Sequence, residues 1–230
     1  KNCEWDILSE ESSSLNSSIY KEIKKWLWIL DPLDGTKDFI QGTGNYAMHL
    51  ALTYNHKSLL GVVLIPEKNE LWISNGEKVW CERNDGSKKV FLEPVRKEIK
   101  DMIVVTSKNH RNSNLENLIQ KIKFKHVKIM GSIGCKIASL IRGESDIYIS
   151  LSLPGQSCPK DWDFAAPEAI LRSSGGAITT LDNEELSYNK GNHDQGGIII
   201  ASNDKKTHAI KCEQIKAIVR EFNLFPVNFN

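Results

Sequence analysis

Two carboxylates lie three residues apart in the segment D-P-L-D-G-T at positions 31–36, directly after an apolar run. Pro32 fixes its own φ angle and favours extended backbone at Asp31, so we expect the strand to end at Asp31 and Asp34 to lie beyond a bend. The carbonyl oxygen of Leu33 is then free to join the two carboxylates. Converging oxygen ligands of this kind are what hard divalent cations prefer.

The end of the same motif offers groups that could bind a phosphate. Gly35 permits the close approach of a backbone or a phosphate, and free N–H groups at a turn or helix start bind phosphate oxygens. The hydroxyl of Thr36 could polarise a water molecule. Because Asp, Pro and Gly are also ordinary turn residues, a surface turn is the alternative for this motif taken alone.

Two further segments complete a recognisable pattern: I-L-S-E-E-S at positions 7–12 and K-D-W-D-F-A-A at positions 160–166. An acidic pair after an apolar strand, then D-P-[IL]-D-G-T, then W-D-x-A-A at a helix start occur here in the order found in the inositol monophosphatase superfamily. The chain resembles this superfamily of lithium-sensitive, magnesium-dependent phosphatases over essentially its whole length. The resemblance implies a layered αβαβα sandwich, an α/β (α+β) fold of the inositol monophosphatase and fructose-1,6-bisphosphatase type.

The resemblance also implies a ligand set for two or three Mg²⁺ ions. The implied ligands are three aspartates, one glutamate and one backbone carbonyl: Glu10, Asp31, Leu33, Asp34 and Asp163. Thr36 and Glu11 are the implied catalytic residues, Thr36 orienting the attacking water and Glu11 making a weaker contact to the metal. Gly35 and Thr36 would bind the phosphate. A helix-capping role for Asp163 and a solvated loop position for Glu10 are the alternatives.

Within the superfamily, several residues resemble those of 3'(2'),5'-bisphosphate nucleotidases. The segment that begins at Lys37 resembles their K-[DE]-F, and other segments resemble their S-x-x-H and G-S…K, so the expected substrate-binding residues are Lys37, Ser107, His110, Ser132, Lys136 and Lys160. His110 as a loop residue, Ser132 as a helix cap and Lys136 as a solvated side chain are the alternatives. Ser150 stands where many nucleotidases have arginine, and Lys160 or Arg142 is the candidate replacement cation.

These residues predict a phosphomonoesterase whose small-molecule substrate is a phosphate monoester. The expected reaction removes the 3'-phosphate of 3'-phosphoadenosine 5'-phosphate, a by-product of sulfate assimilation, by attack of a metal-activated water. An inositol monophosphatase or sugar bisphosphatase is the alternative enzyme, and a non-catalytic metal- or nucleotide-binding module is the alternative from another class. Family members also carry an upstream segment with two helices and a water-positioning aspartate, which this sequence does not contain. We expect a monomer or homodimer.

The composition argues against macromolecular anions and membranes as partners. The chain has 230 residues, with 30 Lys and Arg against 29 Asp and Glu, so its net charge of +1 provides no footprint for nucleic acid or an anionic membrane. No apolar stretch is long enough to cross a bilayer, and the polar start is not a signal peptide. The five scattered cysteines are typical of reduced thiols, several of them buried, in a cytoplasmic protein.

Periodicity and turn residues predict a change of architecture near Pro94. Residues 1–95 are expected to form an N-terminal lobe that holds an antiparallel sheet and the metal motifs, and residues 96–230 a C-terminal α/β lobe. We expect residues 12–25 to form a mobile loop. The predicted strands cover 26–30, 46–54, 59–66, 70–74, 78–82, 89–92, 102–107, 127–130, 146–150, 177–181 and 197–201, and the predicted helices cover 113–123, 134–142, 163–173 and 206–222.

Overall fold

The strands of the N-terminal half form one six-stranded sheet. The computed structural model describes residues 5–12, 25–87, 95–108 and 112–226. The strand order is sequential, and every neighbouring pair is antiparallel except the first pair, which is parallel. The strands are β1 (Asp6–Ser9), β2 (Trp26–Asp34), β3 (Ala47–Tyr54), β4 (Lys57–Ile65), β5 (Glu70–Ser74) and β6 (Val79–Glu82). The short helix α1 (Thr36–Ile40) follows β2.

A second, five-stranded sheet is formed by the C-terminal half. Its strands are β7 (Ile103–Ser107), β8 (His126–Met130), β9 (Ile147–Ser152), β10 (Ala177–Thr180) and β11 (Gly197–Ser202), in the order β10-β11-β9-β7-β8. The three strands β7, β8 and β9 run parallel, while β11 pairs antiparallel with both β9 and β10. The helices are α2 (Ser113–Ile122), α3 (Ile133–Ile141), α4 (Asp161–Ser173) and α5 (Lys205–Glu221).

Two of these helices lie between the sheets. Helices α3 and α4 contact the first sheet through β3 and β4, and their apolar side chains share one buried core with strands of both sheets. Helices α2 and α5 pack on the opposite face of the second sheet and form a second core with it. The mixed α/β fold with two sheets and packed helices confirms the predicted fold class, and the described residues supply four of the five layers in the order β-α-β-α.

Alternation along the strands separates the two faces of the first sheet. Leu27, Ile29, Val63 and Trp72 point into the core between the sheets and are buried. The opposite face carries the aromatic pair Trp26 and Tyr54, together with Trp5 and Trp28. Each sheet lies entirely on one side of residue 95 in the sequence, but the core between the sheets contains residues from both sides. The division into two lobes at residue 95 therefore stays a prediction.

Most predicted elements are confirmed within one or two residues. Strand β5 has the predicted bounds, but β2 continues past its expected end to Asp34 and α4 begins two residues earlier than predicted. Strand β1 is the strand that the resemblance implies before the acidic pair, whereas helix α1 and three short 3-10 segments were not predicted. The predicted strand 89–92 and most of the predicted loop 12–25 lie outside the described residues.

No helix among the described residues is both long and apolar enough to cross a membrane. Among the described cysteines, Cys81, Cys135 and Cys212 are buried, which confirms that part of the prediction.

A buried acid in α4 links the inner helical layer to the segment before β11. Glu168 is 4% exposed, and it accepts hydrogen bonds from the hydroxyl of Tyr188 and from the guanidinium of Arg172, the latter at 2.9 Å. Burial raises the pKa of Glu168 to about 7. The folded protein therefore binds a proton at this carboxyl group more tightly than the unfolded chain does.

This shift predicts that Glu168 favours the folded state at low pH. Its contribution is fully present below about pH 4.5, where both states are protonated, and is lost as the pH rises through about 7, because ionisation of the buried group opposes folding. The free energy of unfolding of the wild type, minus that of Glu168→Gln, should fall by on the order of 1–3 kcal/mol between pH 5 and pH 8. Urea unfolding at both pH values measures this difference. The exposed control Glu98→Gln should follow the wild type, and a pH-independent difference for Glu168→Gln would contradict the prediction.

Candidate active site

Strand pairing brings two of the acidic motifs together. Strands β1 and β2 are parallel, and their last aligned pair is Ser9 with Leu30, so Glu10 and Asp31 are the next residues along the two neighbouring strands. Strand β2 does not end at Asp31: a bulge between Asp31 and Asp34 carries the strand through the proline, and Asp34 pairs with Ala47 of β3. The prediction that the strand ends at Asp31 was therefore wrong, because pairing with β3 resumes at Asp34 after the bulge.

Three aspartates converge at the end of β2. Oxygen atoms of Asp31, Asp34 and Asp163 all lie within 4.8 Å of one another. Burial, followed by repulsion from the neighbouring carboxylates, raises the pKa of Asp31 to about 9. Burial and the charge of Asp34 likewise raise the pKa of Asp163 to about 8. At neutral pH the metal-free cluster therefore holds protons that a divalent cation would displace.

Glu10 lies at the rim of this cluster. Its pKa is raised by partial burial and then by the charges of Glu11 and Asp34, while a hydrogen bond with Asp31 acts in the opposite direction. Glu11 points elsewhere: its carboxylate accepts a 2.9 Å hydrogen bond from the hydroxyl of Ser9 in an exposed position.

The N-terminus of α3 holds the carboxylate of Asp34. Oδ2 of Asp34 accepts hydrogen bonds from the hydroxyl of Ser132 at 2.6 Å, and from the backbone N–H groups of Ile133 at 2.5 Å and Gly134 at 3.3 Å. The carboxylate thus uses backbone N–H groups that the first turn of a helix leaves without a partner inside the helix. Because these donors all contact Oδ2, the orientation of the carboxylate is fixed.

The first turn of α4 holds the carboxylate of Asp163. Oδ2 of Asp163 accepts a hydrogen bond from the backbone N–H of Lys160 at 2.6 Å. Lys160 is the N-cap residue of α4 and Asp163 is the third residue of the helix, so the alternative that Asp163 is itself the N-cap was wrong, because the helix begins two residues earlier than predicted. Capping and metal ligation are compatible, since the second carboxylate oxygen is not used by this bond. The neighbouring Asp161 is buried and points the other way, toward the backbone N–H of Asn189 and the side chain of Gln195.

The cluster opens into a cavity of about 380 Å³. The cavity lies between the end of β2, the start of α3 and α4, and the ends of the second-sheet strands β7 and β9. Its lining includes the acidic residues Glu10, Asp31, Asp34, Asp38 and Asp163, the lysines Lys37, Lys136 and Lys160, the serines Ser107, Ser150, Ser152 and Ser157, and the motif residues Leu33, Gly35 and Thr36.

The turn after Asp34 is shaped by its glycine. Gly35 has φ +89°, and a Cβ atom there would lie 2.8 Å from the carbonyl oxygen of Asn45, so a side chain is excluded by conformation and by space. The hydroxyl of Thr36 donates to the carbonyl oxygen of Leu33 at 3.2 Å. The turn thus places the predicted carbonyl ligand and the predicted water-orienting hydroxyl side by side.

Four of the six predicted substrate-binding residues line the cavity, and they differ in exposure and in their contacts. Lys37 and Ser107 line the cavity, and Lys160 does so while its ammonium pairs with Asp194. Lys136 also lines the cavity, but it is 1% exposed and donates to the carbonyl oxygen of Gly131. The alternative of a solvated surface lysine was therefore wrong for Lys136.

Ser132 and Arg142, two other residues considered for contact with the substrate, are held by contacts within the protein. Ser132 is fully buried, accepts a hydrogen bond from the backbone N–H of Cys135 and donates to Asp34, so its role as a helix cap is confirmed and its hydroxyl faces Asp34. Arg142, one candidate replacement cation, is 2% exposed and pairs with Glu70 and Glu144, away from the cavity. His110 lies outside the described residues.

Sequence reasoning did not single out His49, whose ring contacts Asp34 and the start of α4. The alternation in β3 was the available signal, because His49 lies between Ala47 and Ala51 on the buried face of the strand. The sequence indicated Ser150 only as a position where related enzymes have arginine. In the structure Ser150 lines the cavity together with Ser152 and Ser157.

Comparison with known proteins finds a family model and several relatives that this chain matches. Residues 4–220 match the sequence model of the group described as "Inositol monophosphatase family". The chain is 32% identical over 182 residues to the 3'(2'),5'-bisphosphate nucleotidase CysQ of Buchnera aphidicola, covering 79% of this chain and 64% of that protein. The chain spans about three fifths of the length of the curated relatives that it matches.

Solved structures of related proteins superimpose on this chain. A crystal structure of CysQ from Bacteroides thetaiotaomicron, a bacterial member of the inositol monophosphatase family, superimposes with a TM-score of 0.70 at 26% identity, covering 89% of this chain and 79% of that one. A dual specific IMPase/NADP phosphatase bound with D-inositol-1-phosphate gives a TM-score of 0.70 at 26% identity, covering 92% of this chain and 74% of that one.

The two aspartates at the start of α4 provide a test of the acidic cluster. Asp163→Asn removes a charge from the cluster but keeps an oxygen to accept from Lys160, so the metal-free variant should melt at a higher temperature than the wild type. Because the pKa of Asp163 is raised, its ionisation costs stability as pH rises toward about 8, and the advantage of the variant should be larger at pH 9 than at pH 6. Melting curves at both pH values, with and without Mg²⁺, measure the effect.

Asp161→Asn is the matched control. It should lower the melting temperature by weakening the contacts to Asn189 and Gln195 but keep the rise on addition of Mg²⁺, which Asp163→Asn should lose. An unchanged Mg²⁺ response in Asp163→Asn would contradict the ligand role of Asp163.

Proposed function

The chain belongs to the inositol monophosphatase family, and from this premise we propose that it is a magnesium-dependent hydrolase of phosphate monoesters. The observation that carries the proposal is the convergence of Asp31, Asp34 and Asp163 at the wall of a cavity large enough for a small organic phosphate. Burial, together with the charges of neighbouring carboxylates, raises the pKa values of Asp31 and Asp163. Such carboxylates are costly for a fold, so a site that retains them is a candidate for cation binding.

The donor set fits Mg²⁺. All the groups offered are carboxylate or carbonyl oxygens, which suit hard cations, and the described residues around the cluster bring no thiolate to it. Asp31, Asp34, Asp163 and Glu10 would hold two or three ions together with the carbonyl oxygen of Leu33. Bound Mg²⁺ neutralises the charge of a phosphate and lowers the pKa of a water molecule.

The residues of the chain then orient the reactants. The hydroxyl of Thr36 donates to the carbonyl of Leu33, so its lone pairs remain to accept a hydrogen bond from the attacking water and to aim that water at phosphorus. The turn at Gly35 presents backbone to the phosphate. A role for Glu11 has no support from its contact with Ser9 and remains a prediction from the resemblance alone.

A water nucleophile is more consistent with the cavity than a covalent intermediate on cysteine. Cys158 lines the cavity, but burial and then the charge of Asp194 raise the pKa of its thiol. A thiol nucleophile requires a lowered pKa.

As the substrate we propose 3'-phosphoadenosine 5'-phosphate, with AMP and phosphate as products. The names of relatives at about 30% identity support a nucleotide bisphosphate. Lys37, Lys136 and Lys160 supply positive charge along the cavity, and the serine wall can hydrogen-bond to a second phosphate.

One observation favours the alternative of an inositol or sugar phosphate. Among the described residues, no arginine lines the cavity, Ser150 occupies the wall, and Arg142 is paired with Glu70. A neutral, hydroxyl-rich wall suits a polyol as well as a phosphate. A non-catalytic binding module, a cytoplasmic location and a monomeric or dimeric state stay predictions.

A phosphate-release panel separates these functions. With Mg²⁺ present, 3'-phosphoadenosine 5'-phosphate should be hydrolysed with a higher kcat/KM than inositol 1-phosphate or fructose 1,6-bisphosphate, and chelation of Mg²⁺ should abolish every activity. A preference for inositol 1-phosphate would establish the alternative enzyme. Binding of Mg²⁺ without turnover of any of the three would favour the non-catalytic module.

Lys136 provides the test of the second phosphate. Lys136→Met keeps the aliphatic stem but removes the charge, so kcat/KM for the nucleotide bisphosphate should fall about ten- to a hundredfold, since a charge-assisted contact contributes roughly 1.5–3 kcal/mol. Release of phosphate from 2'-AMP, which has no second phosphate, should change little. The exposed control Lys100→Met should leave both unchanged, and equal losses on both substrates would contradict a contact to the remote phosphate.

A further inference from the structure

A histidine lies at the centre of the elements that hold the acidic cluster. His49 of β3 is 1% exposed and projects from the first sheet toward the inner helices. Its Nδ1 lies 3.2 Å from the carbonyl oxygen of Trp162, the residue that precedes Asp163. Its Nε2 lies 3.4 Å from Oδ2 of Asp34.

The ring also contacts the helix that binds Asp34. A Cβ atom at Gly134, in the first turn of α3, would lie 2.3 Å from Nε2 of His49. The glycine therefore allows α3 to approach the ring and Asp34 together. One imidazole thus touches Asp34 at the end of β2, the first turn of α3 and the first turn of α4.

These contacts span parts of the chain that no local interaction connects. Asp34 and Asp163 come from different layers of the fold, and their carboxylates repel each other. The backbone of α4 next to Asp163 is hydrogen-bonded to a ring that packs against Asp34. The distance between the two carboxylates therefore depends on the size and contacts of residue 49.

We propose that His49 is a positioning residue that sets the relative placement of Asp34 and Asp163 and thereby the affinity of the cluster for Mg²⁺. The inference rests on the proposed function, because it assumes that these carboxylates bind Mg²⁺. His49 is not among the residues that line the cavity, so it acts through its neighbours. Partners of metal ligands in other proteins affect metal affinity in this way.

A purely structural role for His49 is the competing explanation, and Ser58 provides the matched control. Ser58 of β4 is also 1% exposed, and its hydroxyl donates to a backbone carbonyl of the same helix, that of Ala165, at 2.6 Å. It lies away from the cluster. Ser58→Ala therefore weakens a comparable buried contact between the first sheet and α4 without touching Asp34 or the turn that carries Asp163.

The experiment measures Mg²⁺ binding by titration calorimetry, and the melting temperature of each metal-free protein. His49→Leu keeps the core filled but removes both ring nitrogens, and we expect its affinity for Mg²⁺ to be about 10- to 100-fold weaker than that of the wild type. His49→Asn places an amide N–H where Nδ1 now lies and should recover most of the affinity. Ser58→Ala should bind Mg²⁺ like the wild type, even if its melting temperature falls as far as that of His49→Leu.

Each other outcome overturns the proposal. Wild-type affinity in His49→Leu would show that residue 49 does not set the metal site. Equal losses of affinity in His49→Leu and Ser58→Ala, in proportion to their melting temperatures, would assign His49 to general packing. If His49→Leu does not fold, His49→Gln carries the test, because its amide can replace Nε2 but not the contact of Nδ1 with Trp162, and wild-type affinity in His49→Gln would overturn the proposal. A wild type that binds no Mg²⁺ would instead refute the proposed function, so the two failures are distinguishable.

Discussion

The carboxylates of Asp31, Asp34 and Asp163 repel one another, and the surrounding structure must hold them in place against this repulsion. Their oxygens lie within 4.8 Å of one another in a largely buried site, where charges interact more strongly than in water. Burial and repulsion raise the pKa of Asp31 to about 9 and that of Asp163 to about 8. The metal-free fold can hold such a cluster only if other interactions fix each carboxylate against the repulsion.

Three elements supply those interactions, each in a different way. The bulge in β2 keeps Asp31 and Asp34 on a strand paired with β3, the start of α3 directs a hydroxyl and two N–H groups to Asp34, and the first turn of α4 uses the N–H of Lys160 to hold Asp163. Helices α3 and α4 lie in the layer shared by both sheets, so the site depends on the packing of that layer. A cation offsets the repulsion that this packing opposes, which couples metal binding to stability.

The acidic residues and the serines lie on different walls of the cavity. The acidic cluster lies at one wall of the cavity, while lysines and the serines of β7 and β9 form other parts of its lining. The first wall is contributed mainly by the first sheet and α4, whereas the serines come from the second sheet. A substrate that bridges them would bring its reacting phosphate to the carboxylates and the rest of the molecule to the serines. Under the proposed function, changes in the second sheet would therefore alter the preferred substrate without changing the proposed metal ligands.

The sequence by itself determined the ligand motifs and most of the elements that carry them. The spacing of Asp31 and Asp34 around Pro32 and the W-D-x-A-A segment are local signals, and the resemblance that they carry predicted the fold class. Apolar periodicity and turn residues predicted nearly all described strands and helices. Turn chemistry and side-chain periodicity act over a few residues, which is why these predictions succeeded.

Only the tertiary structure decided how distant residues share the site. Ser132 and Asp34 are 98 positions apart, and His49 and Trp162 are 113 apart, so no local pattern indicates either contact. Pairing with β3 overrode the expected end of β2 at Asp31, and packing buried Lys136 where a solvated side chain was an open alternative. The physical reason is the same in each case: burial and hydrogen bonding between segments from separate layers outweigh the preferences of the local sequence.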